Sequence, residues 1–157
     1  MATASSVNLR SGLTLSYARQ GNVRDVALVL LPGPTDSWRS YQPVLDRLPR
    51  SMYTVAVSLR GHGDSDKPKT GYRVEDYAVD VVSLLDALGI ERAVLAGHSG
   101  SCLVARRVAL DRPERVGAWC SKPRRRPFAA MPDSRSSCSQ SFPVWRIRSA
   151  QTWPALS

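Results

Sequence analysis

Ser99 stands in the run Gly97-His98-Ser99-Gly100-Ser101, with small residues two positions to either side. A serine hydroxyl attacks a carbonyl carbon only when a base takes its proton and donors hold the resulting oxyanion. Small residues at both flanks permit a very tight turn, which pushes the serine toward unusual backbone angles. Gly97 and Ser101 meet that steric demand, and the N–H of Gly100 falls where an oxyanion would form. The base is harder to find. The chain has two histidines, His62 and His98, and both precede Ser99. Neighbouring side chains in a strained turn point apart, so His98 reads as lining a pocket or packing. His62 falls in a glycine-rich loop with Asp64 and Asp66 and reads as a turn-stabilising residue. Beyond Ser99 the acids are Asp111, Glu114 and Asp133, with no histidine.

The elements around the serine decide whether it can act. Val26–Pro32 is a short continuous apolar run ended by proline and glycine, the pattern of a buried parallel strand. Residues 53–59 and 92–97 repeat it. Residues 7–20 read as two short strands about Ser11-Gly12. Residues 37–49 have helical spacing, with Pro43 placed for a first turn. Residues 73–89 carry Val74, Tyr77, Val81, Leu85 and Leu88 on one stripe, with Asp76, Asp80, Ser83 and Asp86 off it, and Gly89 ends the helix. Residues 102–110 are helical again. Strands alternating with helices predict crossovers and a parallel sheet, with ligands at the carboxyl ends of its strands. Ser99 falls at such an end.

With strand before and helix after, Gly97–Ser101 resembles the nucleophile elbow of the α/β-hydrolase fold. Residues 30–38, 59–68 and 109–116 resemble its oxyanion loop, the turn after its fourth strand and the approach to its sixth. The likeness covers about residues 7–116. It implies an α/β-hydrolase-like, mostly parallel sheet, truncated after the helix that follows the elbow. It implies Ser99 as catalytic nucleophile, with Gly100, Gly33, Thr35 and His98 around the oxyanion and binding site. It implies an ester or lactone as the small-molecule substrate, with no metal and no organic cofactor. A serine at the elbow, where an aspartate would stand, argues against the epoxide hydrolase and dehalogenase branches. Two departures stand out. Pro32-Gly33-Pro34 replaces the usual His-Gly of the oxyanion loop, and neither proline has an N–H to donate. The acid and histidine that the family places after its serine are absent, so the chain is expected to be nearly inactive. The alternative within the scaffold is a binding protein without catalysis.

The grammar changes after Val116. Residues 1–116 hold 15 basic and 12 acidic residues, a net of +3, whereas residues 117–157 hold 7 and 1, a net of +6. The first part is balanced like an ordinary enzyme. The last 41 residues show no sustained period, yet hold three of the four tryptophans and two of the three cysteines. They read as an irregular basic tail, and the strand ending at Gly97 is expected to lose its neighbour there. Nucleic-acid binding through Lys122–Pro127 is the rival reading, and solvated charge is the simpler one. Composition also fits translation in the wrong frame. Starting each codon at the third base of the present one, residues 118–123 can encode Leu-Val-Leu-Glu-Ala, an apolar strand where a strand is due. Three cysteines without metal-like pairing fit a reduced, cytoplasmic protein. No apolar run approaches a membrane span, and the amino terminus lacks the apolar core of a secretory signal.

Overall fold

The computed structural model describes residues 2–22 and 26–122. Strands β1 (Thr3–Asn8) and β2 (Thr14–Gln20) form an antiparallel hairpin. Strand β3 (Ala27–Leu31) follows, then a 3-10 turn (Trp38–Tyr41) and the short helix α1 (Gln42–Leu45). Strand β4 (Thr54–Val57), helix α2 (Val74–Ala87), strand β5 (Ala93–His98) and helix α3 (Ser101–Asp111) complete the alternation, and strand β6 (Val116–Lys122) comes last. The sheet order is β1-β2-β4-β3-β5-β6. β2 meets β4 antiparallel, and all pairs from β4 to β6 are parallel. The parallel core expected from the three apolar runs is present.

Alternation along the strands sorts the side chains between two faces. Val29, Leu31, Val55, Val57 and Leu95 join the larger core, together with Val81, Leu84 and Leu85 of α2 and Val104 and Val108 of α3. Leu30 and Ala56 face the other way, onto Trp38 and Leu45. Each fully buried Leu or Val contributes about 1.5–3 kcal/mol, so the α2/α3 face carries most of the stabilisation.

Three expectations are corrected. The helix expected over residues 37–49 is split into a 3-10 turn and α1. Pro43 does fall in the first turn of α1, but it cannot donate to the turn before it. Asp80, expected off the apolar stripe, is buried against Arg60. Residues 117–122, expected to be irregular, form most of β6, which pairs parallel with β5 from Ala93↔Val116 to His98↔Lys122. The edge of β5 is therefore covered. The stretch has no proline before Pro123, and Val116, Trp119 and Cys120 can all extend, so an open parallel edge can recruit it. The basic run from Pro123 to Pro127 and the rest of residues 123–157 lie outside the described residues, as do the frame and nucleic-acid readings that fall on them. Among the described residues, no helix is long and apolar enough to cross a membrane.

Candidate active site

Ser99 lies between β5 and α3 at the carboxyl end of the strand, half-buried. Its φ is +56°. For a residue with a Cβ, this left-handed conformation costs roughly 1–2 kcal/mol, and such strain collects at functional turns. The cause is visible two residues earlier. A Cβ at Gly97 would lie 2.5 Å from the Ser101 carbonyl oxygen and 2.8 Å from the Cys102 nitrogen. The helix doubles back onto the strand, and only glycine fits beneath it. The Cys102 N–H donates to the Ser99 carbonyl and the Leu103 N–H to that of Gly100, so α3 starts directly under the serine. The amino end of α3 favours negative charge there.

The loop after β3 packs against this turn. A Cβ on Gly100 would sit 3.1 Å from Pro34 Cγ, and one on Gly33 would sit 3.0 Å from His98 Nδ1. His98 is exposed and its ring lies against Gly33 of the loop. Thr35 takes φ +67° and is exposed. Among the described residues, the N–H groups of Gly33, Thr35 and Gly100 donate to no protein acceptor. Three free donors therefore stand at the elbow and the loop beside it. A further tie was not legible in the sequence: the buried Ser101 hydroxyl donates to the Pro32 carbonyl, joining the elbow to the loop. No side chain among the described residues hydrogen-bonds the Ser99 hydroxyl, and no cluster of three His, Cys, Asp or Glu that could hold a metal is found there.

A cleft of about 270 Å³ opens beside the elbow, lined by Pro34, Gly100 and Ser101 on one side and by His62, Val74 and Tyr77 on the other. The loop carrying His62 is fixed by an ion pair that sequence reasoning missed. Arg60 Nε and Nη2 each donate to Asp80 at 2.5 Å, and Nη1 donates to the Gly71 carbonyl at 2.7 Å. The side chains are 11% and 1% exposed, so the charges are largely withdrawn from water. The hydrogen bond to Asp80 raises the Arg60 pKa above its ordinary value, against the opposing effect of burial. The signal was present in sequence only as one charge on a helix and one in a loop, 20 residues apart. By contrast, Asp64 meets Arg39 in an exposed pair, and exposed Asp66 accepts from the Thr14 N–H. A larger open depression of about 600 Å³, lined by Arg10, Asp86, Glu91 and Arg115 among others, lies by the carboxyl end of α2 and the segments that enter β5 and β6. It is remote from the elbow.

A family model described as the alpha/beta hydrolase fold matches residues 26–143. 2-(Acetamidomethylene)succinate hydrolase of Mesorhizobium japonicum is 38% identical over 87 residues, which are 55% of this chain and 31% of that protein. Epoxide hydrolase 3 of Xenopus tropicalis is 37% identical over 93 residues, 56% of this chain and 24% of that protein. The crystal structure of E-2-(acetamidomethylene)succinate hydrolase superposes with a TM-score of 0.71 at 31% identity, covering 76% of this chain and 43% of that one. The chain thus spans about a quarter to a third of the length of these curated relatives. The family match runs past Val116 into the segment where the sequence pattern changes.

Proposed function

The chain belongs to the α/β-hydrolase fold family, and from that premise we propose that it carries the nucleophile half of a carboxylic ester or lactone hydrolase. Ser99 Oγ attacks the carbonyl carbon and gives up its proton. The oxyanion is held by the Gly100 N–H and by Gly33 or Thr35. Collapse breaks the bond to the alkoxide, which takes a proton, and water then releases the acid from the acyl-serine. The observation that carries this reading is the left-handed Ser99 at a strand-to-helix turn, with unpaired N–H groups packed beside it. Serine in place of aspartate favours acyl transfer over epoxide opening, although relatives named as epoxide hydrolases share the fold.

The activating base is the weak point. Nothing among the described residues bonds the Ser99 hydroxyl, and the sequence has no histidine after it. Loss of a triad member lowers kcat by roughly 10⁴- to 10⁶-fold. The 157-residue chain is therefore expected to hydrolyse p-nitrophenyl acetate little above background, with Ser99→Ala indistinguishable from it. Robust turnover that Ser99→Ala abolishes would show that a base exists within the chain, and His62→Ala would then identify it. The coding DNA tests the frame reading. If the alternative frame beyond Val116 supplies an acid and a histidine, that longer chain should hydrolyse the ester, and Ser99→Ala should abolish the reaction. An alternative frame that closes within a few codons would overturn the frame reading. A longer chain that opened styrene oxide but left esters intact would overturn the ester assignment. The absence of a base beside Ser99 also favours a second reading, a binding protein on this scaffold. Failure of the longer chain to turn over any ester would support it.

A further inference from the structure

We propose that the cleft beside the elbow selects a neutral substrate group bearing a hydroxyl, which His62 Nε2 and the Tyr77 hydroxyl recognise together. The proposal rests on the elbow reading only in that the cleft adjoins Gly100 and Ser101.

Its argument is one of which polar atoms remain available. His62 Nδ1 lies 2.8 Å from the Arg60 carbonyl oxygen. A carbonyl can only accept, so Nδ1 carries the proton. In the neutral ring Nε2 is then an acceptor, and it is the polar atom of this side chain left for a ligand. Turning the ring over would exchange this hydrogen bond to the Arg60 carbonyl for a C–H contact, so the bond itself sets the ring's orientation. Tyr77 comes from the first turn of α2, and its ring is tilted 52° to that of His62, with centroids 6.4 Å apart. Its hydroxyl has no partner among the described residues, and burial raises its pKa, which keeps it an O–H donor. The remaining polar side chain of the lining, Ser101, is committed to the Pro32 carbonyl. The walls are otherwise apolar, with Leu59, Val74, Leu103 and Val104 among them, and no carboxylate, lysine or arginine side chain lines the space.

An apolar space with one acceptor and one donor on adjacent rings fits a hydroxyl, which both donates and accepts. In the open cleft water reaches the two groups, and a purely apolar occupant displaces it without offering a partner, which leaves them unsatisfied. A site built to hydrogen-bond a hydroxyl discriminates strongly against the analogue that lacks it. With the His62 ring neutral, a carboxylate finds no cation among the lining side chains. An engineered apolar cavity of about 150 Å³ holds benzene, so about 270 Å³ admits a ring with a short substituent.

Titrations of the 157-residue chain followed by nuclear magnetic resonance test this with benzyl alcohol, toluene and benzoate. Benzyl alcohol should bind at least fivefold more tightly than toluene, shifting the His62 ring and Tyr77 resonances, and benzoate should bind least. Both His62→Phe and Tyr77→Phe keep a ring in place; Tyr77→Phe removes only the hydroxyl, whereas His62→Phe removes Nε2 and with it the Nδ1 bond to the Arg60 carbonyl. Each should weaken benzyl alcohol about fivefold and leave toluene within twofold. Equal binding of benzyl alcohol and toluene, parallel weakening of both in either variant, or shifts confined to the depression around Arg115 would overturn the proposal. No detectable binding of benzyl alcohol would overturn it as well. Binding is read without turnover, so this outcome is independent of ester hydrolysis by Ser99.

Discussion

Replacing Asp80 by leucine, a side chain of similar size, should be among the most damaging changes to this chain. Asp80 is 1% exposed and accepts two hydrogen bonds from Arg60. Asp80→Leu leaves the Arg60 guanidinium largely withdrawn from water and holding only the Gly71 carbonyl. Removing one partner of a buried pair costs about 3–5 kcal/mol, a large share of the 5–15 kcal/mol that typically holds a domain folded. At about 2–4 °C per kcal/mol for a chain of this size, Tm should fall by roughly 6–20 °C. The double variant Arg60→Met/Asp80→Leu separates the two parts of this cost. It buries no unpaired charge, but it does lose the 2.7 Å bond to Gly71, worth about 1–3 kcal/mol for a charged donor. The double variant should therefore be more stable than Asp80→Leu alone. Urea unfolding of wild type, both single variants and the double variant measures the coupling. A loss below about 1 kcal/mol in Asp80→Leu, or a double variant whose loss equals the two single losses added together, would refute the reasoning.

Two further variants probe the elbow. Gly97→Ala forces a methyl to within 2.5 Å of a backbone oxygen that cannot swing aside. It should cost at least about 1–3 kcal/mol, and a urea midpoint equal to wild type would count against the packing described. Ser99→Gly relieves a left-handed strain of roughly 1–2 kcal/mol against a glycine entropy cost of about 0.5–1 kcal/mol. It should leave stability unchanged or raise it by up to about 1.5 kcal/mol, and a clear fall in the midpoint would show that the turn is unstrained.

Much of this architecture was legible because it rests on local patterns. The runs at residues 26–32, 53–59 and 92–97 are apolar on both faces because both faces of β3, β4 and β5 are covered, and that is visible in one dimension. The elbow was legible because a steric demand at Gly97 and Ser101 leaves a trace in residue type. Asp80 was misread because its partner, Arg60, lies in a different element, and periodicity assigns every charge to solvent. The tie from Ser101 to Pro32 was hidden for the same reason, spanning 69 residues. β6 was missed for another reason. Its pairing comes from the exposed edge of β5 as much as from its own side chains, so Val116–Lys122 carries no pattern of its own. The polar character of the cleft could not be read at all, because it depends on which nitrogen of His62 is already engaged.

The sheet order also constrains the sequence of events in folding. β1 and β2 pair across a short turn, and β3 reaches β4 through residues near in the chain, with Leu28 opposite Thr54. β5 must instead return to β3, placing Val94 beside Leu28. Closure of the longer loop costs more entropy and comes later. Gly97, the residue that lets α3 turn back, is the last of β5 to pair with β3, opposite Leu31. The left-handed backbone of Ser99 is set by a local crowding of Gly97 against Ser101 and Cys102, but its place in the molecule is set by the long-range pairing of β5 with β3. The turn that shapes the nucleophile is thus written into residues 97–102, whereas what surrounds it, Pro32 to Pro34 of the loop after β3, arrives from up to 69 residues away.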